Sequence, residues 1–462
     1  MGSKMSTVTS NAIGRRSALL RIGGGLALGS VPVLSPAAGA TAGRNPGTAR
    51  SCILIYLLGG PPQLDTFDPK PNAPAEVRGP FGVVTTSLPG VQFCEHLPRM
   101  AAGLKRFSIV RSVSHRNSNH TPMIYYTLTG RHTAIPEQDN DIRPPLRTDF
   151  PHVGSVISRL MGSPNALPGY VAIPEVAIRS SLSGEFKRVR SPLRGGSAGF
   201  LGAKYDPLTV NGEPGRADAV ADFSVPQEVS ESQQSLRATL LDTLDGKPRA
   251  SRQRAYQGLR EQALLLTGSA GSARRLFSLD DEPAAVQERY GTHRFGKALL
   301  LARRLAEAGT PLVAVHFNEM TVCDGWDTHS KNFEALQTEL LPMVDQSVSA
   351  LLEDLEARGR LDETLVVCQG EFGRTPKING NAGRDHWGPC SSTLLAGGGI
   401  RGGIVHGASD AIAAYPVRDL VDPVDIQATM YYCLGLDPHS LIRDQEGRPW
   451  EISTGRVLTE LL

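Results

Sequence analysis

Residues 52–60 read CILIYLLGG, an uninterrupted apolar run that ends at two glycines. A short apolar run bounded by glycines is typical of a β-strand that is buried on both faces. Similar runs lie at 107–110, 312–315 and 365–368, and a weaker one lies at 392–396. The sequence therefore predicts several buried strands that are spread over most of the chain.

Helical periodicity occurs between these strands. From residue 333 to residue 355, apolar side chains recur at three- and four-residue steps. Pro342 is expected to kink or split this helix, and Gly359 is expected to end it. Further helices are predicted at 295–308 and 424–434. The alternation of strands and helices indicates an α/β fold with a mostly parallel sheet sandwiched between helices.

The first 42 residues have the composition of an export leader. Arg15 and Arg16 precede an apolar, glycine-rich stretch at 22–34, and an A-x-A cleavage pattern lies at 38–40. A twin arginine ahead of such a stretch is typical of a Tat signal. We therefore expect a periplasmic or secreted protein with no stable membrane span once the signal is removed. The alternatives are a disordered basic tail and an uncleaved membrane anchor.

Residues 50–462 are predicted to form one domain. A stretch rich in glycine, proline, arginine and serine begins near residue 191, and a polar helical pattern follows it to about residue 290. We interpret 191–290 as a loop and a helical insertion or lid on the main domain.

Composition excludes several classes of protein. A net charge of +2 and an aromatic content of 6% argue against a nucleic-acid-binding protein. None of the six cysteines forms a C-x-x-C pair, so a zinc knuckle and a thioredoxin motif are excluded. Cys52 and Cys368 lie inside predicted strands and are expected to be buried.

Carboxylates, imidazoles and one guanidinium follow the predicted strands, most of them between residues 326 and 387. In an open parallel sheet, ligands bind beyond the carboxyl ends of the strands. Oxygen and imidazole ligands suit divalent cations, so we expect a bound Zn, Ca, Mg or Mn ion. The candidate site residues are Asp65, His120, Thr121, Asp327, His329, Glu371, Arg374, Asp385 and His386.

Several of these residues have a second interpretation. Asp65 could bind metal or cap a turn. Asp385 could bind metal or orient a neighbouring histidine. Arg374 could pair with Glu371 or hold a phosphate or sulfate group of a substrate.

Longer motifs resemble the DUF1501 family. They are the Arg15-Arg16 leader and the segments LGGPPQLDTFDPK at 58–70, RYG at 289–291, WDTH at 326–329, GEFGRTP at 370–376 and GRDHW at 383–387. That family is exported and is grouped with the alkaline phosphatase and sulfatase superfamily. The resemblance implies an alkaline-phosphatase-like fold, metal ions at strand ends and a nucleophile at a helix N-terminus. Here the nucleophile position of the sulfatase motif holds His120, and the arginine position holds Ile124.

The expected function is that of an exported metal-dependent hydrolase of phosphate or sulfate esters. Its substrate would be an anionic small molecule or a sulfated or phosphorylated glycan, with no nucleic-acid partner. His120 or Thr121 would be the nucleophile, or a water molecule would attack the ester directly. The alternatives are a catalytically degenerate extracellular protein that binds a glycan or sulfated polymer, and a metal ion that serves structure only.

Overall fold

The structure is a computed structural model of the chain. It describes residues 47–133, 143–162, 167–174, 177–179, 190–216, 219–220, 275–317 and 325–462, together with isolated helical residues between 232 and 243. The predicted export leader lies outside these residues. So does most of the stretch 217–274, which is the central part of the loop and insertion predicted at 191–290. Within the described part, no helix combines the length and the apolar character that crossing a bilayer requires.

The centre of the fold is an eight-stranded sheet. In chain order its strands are β1 (Ser51–Leu57), β2 (Phe107–Val113), β3 (Tyr170–Ile173), β4 (Leu208–Thr209), β5 (Leu312–Phe317), β6 (Thr364–Gln369), β7 (Ser391–Ala396) and β8 (Val405–His406). Their spatial order is β8-β2-β7-β6-β1-β5-β3-β4. Only β7 runs antiparallel to its neighbours, β6 and β2. The predicted mostly parallel sheet is confirmed.

The described residues also form five two-stranded sheets. They pair Val83–Thr85 with Gln92–Cys94, Ala177–Arg179 with Arg190–Pro192, Gly373–Arg374 with His386–Trp387, Ala408–Ser409 with Pro416–Arg418, and Leu441–Arg443 with Pro449–Glu451.

Helices cover both faces of the sheet. The longer ones are α1 (His120–Thr129), α2 (Val153–Met161), α3 (Ala284–Tyr290), α4 (Arg294–Glu307), α5 (Leu341–Ala357) and α6 (Pro423–Cys433), and shorter ones span Ala75–Arg78, Pro98–Ala102 and Asn332–Ala335. Ile53 and Ile55 of β1 belong to the apolar core that contains α4 and α5. Cys52 and Leu54 belong to the opposite core, with α1, α2 and α6. Successive residues of a strand point to opposite faces, which explains why β1 is apolar throughout.

The helix predicted from residue 333 is divided, as expected from Pro342. A π-helical turn at Leu336–Leu340 separates the short helix Asn332–Ala335 from α5, whose second residue is Pro342. Proline has no backbone N–H to donate within a continuous helix, so a change of helical pitch is expected beside it. The structure departs from the prediction in another segment. Residues 191–216, predicted to be a loop, contain β4, which is an edge strand of the main sheet.

The parallel strands end at the same level. Leu57 of β1 is opposite Phe317 of β5, and Tyr56 is opposite Gln369 of β6. The segments that follow β1, β5 and β6 therefore leave the sheet at one rim, which is where the sequence predicted a ligand site.

His316, at this end of β5, makes folding sensitive to acid. Its imidazole is buried and its Nδ1 donates a hydrogen bond to the carbonyl of Pro174, at 2.7 Å. Burial lowers the pKa of His316 from 6.5 to about 4. The unfolded chain therefore binds a proton at His316 at a higher pH than the folded chain. The contribution of His316 to the free energy of unfolding is complete above pH 6.5 and is lost as the pH falls toward 4.

We predict that His316→Asn, which keeps an N–H donor but does not titrate, reduces this acid sensitivity. The free energy of unfolding of the wild type should fall by about 2 kcal/mol more than that of the variant between about pH 7 and pH 4.5. Urea denaturation across this range measures the difference. Parallel pH profiles of the two proteins would contradict the prediction.

Candidate metal centre

The turn that follows β1 brings a distant loop to the rim. Gly59 and Gly60 have φ values of 112° and 81°, in a region that residues with a Cβ rarely adopt. A Cβ at Gly59 would lie 2.4 Å from the backbone nitrogen of Asp327. The Trp326 N–H donates to the carbonyl of Leu58 at 2.9 Å. Glycine at position 59 therefore allows the Asp327 segment to pack against the exit of β1.

Three imidazoles converge on one carboxylate oxygen of Asp327. The Nε2 atoms of His386, His329 and His120 lie 3.1, 3.2 and 3.4 Å from Asp327 Oδ1. The Nε2 atoms of His329 and His386 lie 2.8 Å from each other. These four residues come from three separate segments of the chain, which follow β2, β5 and β6.

The opposite nitrogen of two of these rings is held by an acceptor. His386 Nδ1 lies 2.8 Å from the carbonyl oxygen of Ser118, which can only accept a hydrogen bond. His120 Nδ1 lies 2.6 Å from Oε1 of Glu371. In the neutral rings the proton is therefore on Nδ1, and Nε2 presents its lone pair toward Asp327.

His329 is held in the same way on the solvent side. Its Nδ1 lies 2.8 Å from Oδ1 of Asp385, and the two side chains are 44% and 53% exposed. Asp385 thus occupies the orienting position that the sequence left open as an alternative to metal ligation.

The charges around Asp327 keep it ionised. Burial alone would raise the pKa of this carboxyl, but hydrogen bonds from the three imidazoles in their protonated form and the charge of Arg374 hold that pKa far below its ordinary range. For His120, burial opposes protonation, but hydrogen bonds to Asp327 and Glu371 raise its pKa to about 9. A proton or another cation is thus strongly favoured between the Nε2 atoms of the imidazoles and Oδ1 of Asp327.

The donor set fits a divalent metal ion. One donor atom each from His120, Asp327 and His386 lie within 4.8 Å of one another. Two imidazole nitrogens and one carboxylate oxygen form a typical catalytic zinc set, and a further ligand position would be open. His329 Nε2 is not part of this three-residue group, but it lies 2.8 Å from His386 Nε2 and 3.2 Å from Asp327 Oδ1.

Glu371 lies on the buried side of this group and orients His120. Its Oε1 accepts hydrogen bonds from His120 Nδ1 and from the Gly59 N–H, at 2.8 Å for the latter. The side chain is fully buried, and Oε2 has no hydrogen-bond partner in the described part of the chain. The structure places Glu371 behind His120, and it is absent from the three-residue donor group.

Arg374 does not face an open space. Its guanidinium is buried and donates to Asp327 Oδ1 at 2.6 Å, to the carbonyl of Trp326 at 3.1 Å, to the carbonyl of Gly60 at 3.0 Å and to that of Gly59. No ion pair joins Arg374 to Glu371. The guanidinium is also not exposed to solvent, so it does not present N–H groups to a substrate anion. Arg374 joins the β1 turn to the Asp327 segment.

Asp65 lies outside the metal donor group. Both of its oxygens accept hydrogen bonds from the buried Arg384, at 2.7 and 2.9 Å, and Oδ2 also accepts one from Asn332. The contacts favour a buried ion pair over the metal ligation that we expected for Asp65.

Thr121 is the second residue of α1 and is buried. Its hydroxyl has no hydrogen-bond partner among the described residues. It lies next to His120 in sequence, but its hydroxyl makes no hydrogen bond to the donor group.

A family model described as "Protein of unknown function (DUF1501)" matches residues 49–462. The chain belongs to the DUF1501 family. A search of curated proteins gives no match to it.

The DUF1501 chain is similar in structure to members of the alkaline phosphatase and sulfatase group. A protein of the alkaline phosphatase superfamily from Vibrio parahaemolyticus gives a TM-score of 0.39 at 12% identity, over 91% of this chain and 73% of the other. A phosphonate monoester hydrolase from Silicibacter pomeroyi gives a TM-score of 0.33 at 14% identity, over 88% of this chain and 76% of the other. A sulfatase from Pseudoalteromonas sp. gives a TM-score of 0.33 at 12% identity, over 84% of this chain and 68% of the other.

Sequence reasoning missed two parts of the DUF1501 site. The Ser118 carbonyl, which holds His386, belongs to the backbone and leaves no signal in the residue type. Asn379, which donates hydrogen bonds to the His329 carbonyl and to Asp385, lies between two recognised motifs. Its position in a glycine-containing stretch close to the site, at 379–383, was the only available signal.

Proposed function

We propose that this rim binds a divalent cation and that the protein is a metal-dependent hydrolase of phosphate or sulfate esters. One observation carries the proposal: three imidazoles, each with Nδ1 on an acceptor, direct Nε2 toward the ionised Asp327. Lone pairs and a negative charge at such short separations repel one another unless protons or a cation lie between them. A divalent ion satisfies all of these groups at once.

The residues would then have separate tasks. His120, Asp327 and His386 bind the ion, and Glu371 and the Ser118 carbonyl orient the two imidazoles. When bound, the ion would supply Lewis-acid stabilisation of the anionic ester oxygens and lower the pKa of water.

Water is the attacking group that the contacts favour. His120, one of the expected nucleophiles, has Nδ1 on Glu371 and Nε2 beside Asp327. The hydroxyl of Thr121, the other expected nucleophile, makes no hydrogen bond to the donor group among the described residues. The exposed side of the centre is formed by His329 and Asp385, so we infer that the substrate approaches from there.

We further propose that the protein is exported by the Tat pathway to the periplasm or beyond. The support is the Arg15-Arg16 leader with its apolar stretch and cleavage pattern. A polar anionic substrate outside the cytoplasm, such as a sulfated or phosphorylated glycan, is consistent with such a location.

The test has two stages. Protein purified without chelator should contain at least one equivalent of a divalent metal by elemental analysis. It should then hydrolyse p-nitrophenyl phosphate or p-nitrophenyl sulfate, and dialysis against EDTA should abolish the hydrolysis. Metal without turnover across a wider ester panel would favour the glycan-binding or structural alternative, and a failure to bind any divalent metal would refute the whole proposal.

A further inference from the structure

Asn379 connects the two exposed members of the metal centre. Its Nδ2 donates to the carbonyl of His329 at 2.9 Å and to Oδ1 of Asp385 at 3.0 Å. The same Asp385 oxygen accepts the hydrogen bond from His329 Nδ1 at 2.8 Å. One amide group therefore fixes both the backbone of the histidine and the carboxylate that orients its ring.

The carbonyl end of the same side chain has a different task. Asn379 Oδ1 accepts hydrogen bonds from the N–H groups of Asn381 and Gly383, at 2.9 and 3.0 Å. It holds the turn at 379–383, in which Ala382 has a φ of 52°. Because the donor end and the acceptor end do different things, a substitution that changes only one of them can separate the two roles.

His329 needs such support more than the other histidines do. Its side chain is 44% exposed, compared with 16% for His386 and 5% for His120. Exposed hydrogen-bonded pairs contribute little order by themselves, because the side chains retain much of their rotational freedom. A second bond to the orienting carboxylate removes part of that freedom before a ligand binds.

We propose that Asn379 is a positioning residue that, through Asp385, holds His329 as the fourth donor of the cation site. The inference rests on the proposed function, because it needs a cation at the rim. It assigns Asp385 to the orientation of His329 and not to direct ligation. Orienting partners of metal-bound histidines typically affect metal affinity by about 10–100-fold.

The test compares Asn379→Asp, Asn379→Ala, Asp385→Asn and Asn381→Ala with the wild type. Zn²⁺ affinity is measured by competition with a chromophoric chelator, and the stability of the metal-free protein is measured by urea denaturation. Asn379→Asp keeps the acceptor of the turn and loses the donor, so Zn²⁺ affinity should fall by about 10–100-fold. Asn379→Ala should lose affinity and also stability. Asn381→Ala, in the same turn, should change neither.

Asp385→Asn provides a check that does not touch the turn. It weakens the acceptor for His329 and should lower Zn²⁺ affinity by a similar factor without destabilising the metal-free protein. In the Co²⁺-substituted protein, Asn379→Asp should also reduce the intensity of the visible absorption bands that report four-coordinate geometry. Wild-type affinity and spectrum in both Asn379→Asp and Asp385→Asn would overturn the inference and leave the proposed cation site intact. A wild-type protein that binds neither ion would instead refute the proposed function.

Discussion

Replacing His386 with alanine is expected to reduce Zn²⁺ affinity at least about 100-fold while the chain stays folded. Loss of an orienting group around a metal-bound histidine already costs about 10–100-fold, and His386 is itself one of the three donors that lie within 4.8 Å of one another. The ring contacts of His386 are with His120, His329 and Phe372, at centroid distances of 4.2, 4.5 and 4.8 Å, so the loss of packing is confined to the site. Titration with Zn²⁺ against a competing chelator, with circular dichroism as a folding check, measures both quantities.

His439→Ala is the matched control, because that histidine is 69% exposed and pairs only with Glu451 in the described structure. Asp327→Ala provides a contrast. It should also abolish binding, but it leaves the buried Arg374 without its carboxylate partner and should therefore cost about 1–3 kcal/mol of stability. Unchanged Zn²⁺ affinity in His386→Ala would remove His386 from the donor set.

The sequence was informative about the fold because burial leaves a pattern along the chain. Strands such as β1 and β6 are apolar on both faces, and the segments that follow them leave the sheet at one rim. The shared rim brings the segments of Asp327, His329 and His386 to one side of the sheet, since parallel strands end together. The periodicity of apolar residues, however, does not indicate which groups a polar side chain will contact when it lies in the segment after a strand.

Asp65 and Glu371 illustrate this limit. Each is a carboxylate in the segment that follows a buried strand, and neither position states which side chain it will contact. What separates them is a partner far along the chain: Arg384, 319 residues away, holds Asp65, whereas His120, 251 residues away, lies against Glu371. Such pairings depend on the three-dimensional path of loops, for which a single sequence carries no signal.

Replacing Asp65 with alanine is expected to destabilise the protein by about 3–5 kcal/mol and to leave the affinity of the folded protein for Zn²⁺ within about twofold of the wild type. Asp65 is 1% exposed and Arg384 is fully buried, so the variant would retain a buried guanidinium without its counter-charge. The remaining contacts of Arg384 to backbone carbonyls, such as that of Val77, do not neutralise the charge. Removal of one partner of a buried pair costs far more than the net stability that the intact pair provides.

Glu334→Ala is the control for this substitution, since it breaks an exposed pair with Lys331 whose side chains are 57% and 67% exposed. That change should cost less than about 1 kcal/mol. Urea denaturation in metal-free buffer gives the stabilities, and Zn²⁺ titration under conditions in which each variant is fully folded gives the affinities. If Asp65 were instead a metal ligand, as its position after β1 first suggested, the pattern would reverse: Zn²⁺ affinity would collapse and the stability of the metal-free protein would hardly change. The two roles of this carboxylate therefore predict opposite pairs of results from the same two measurements.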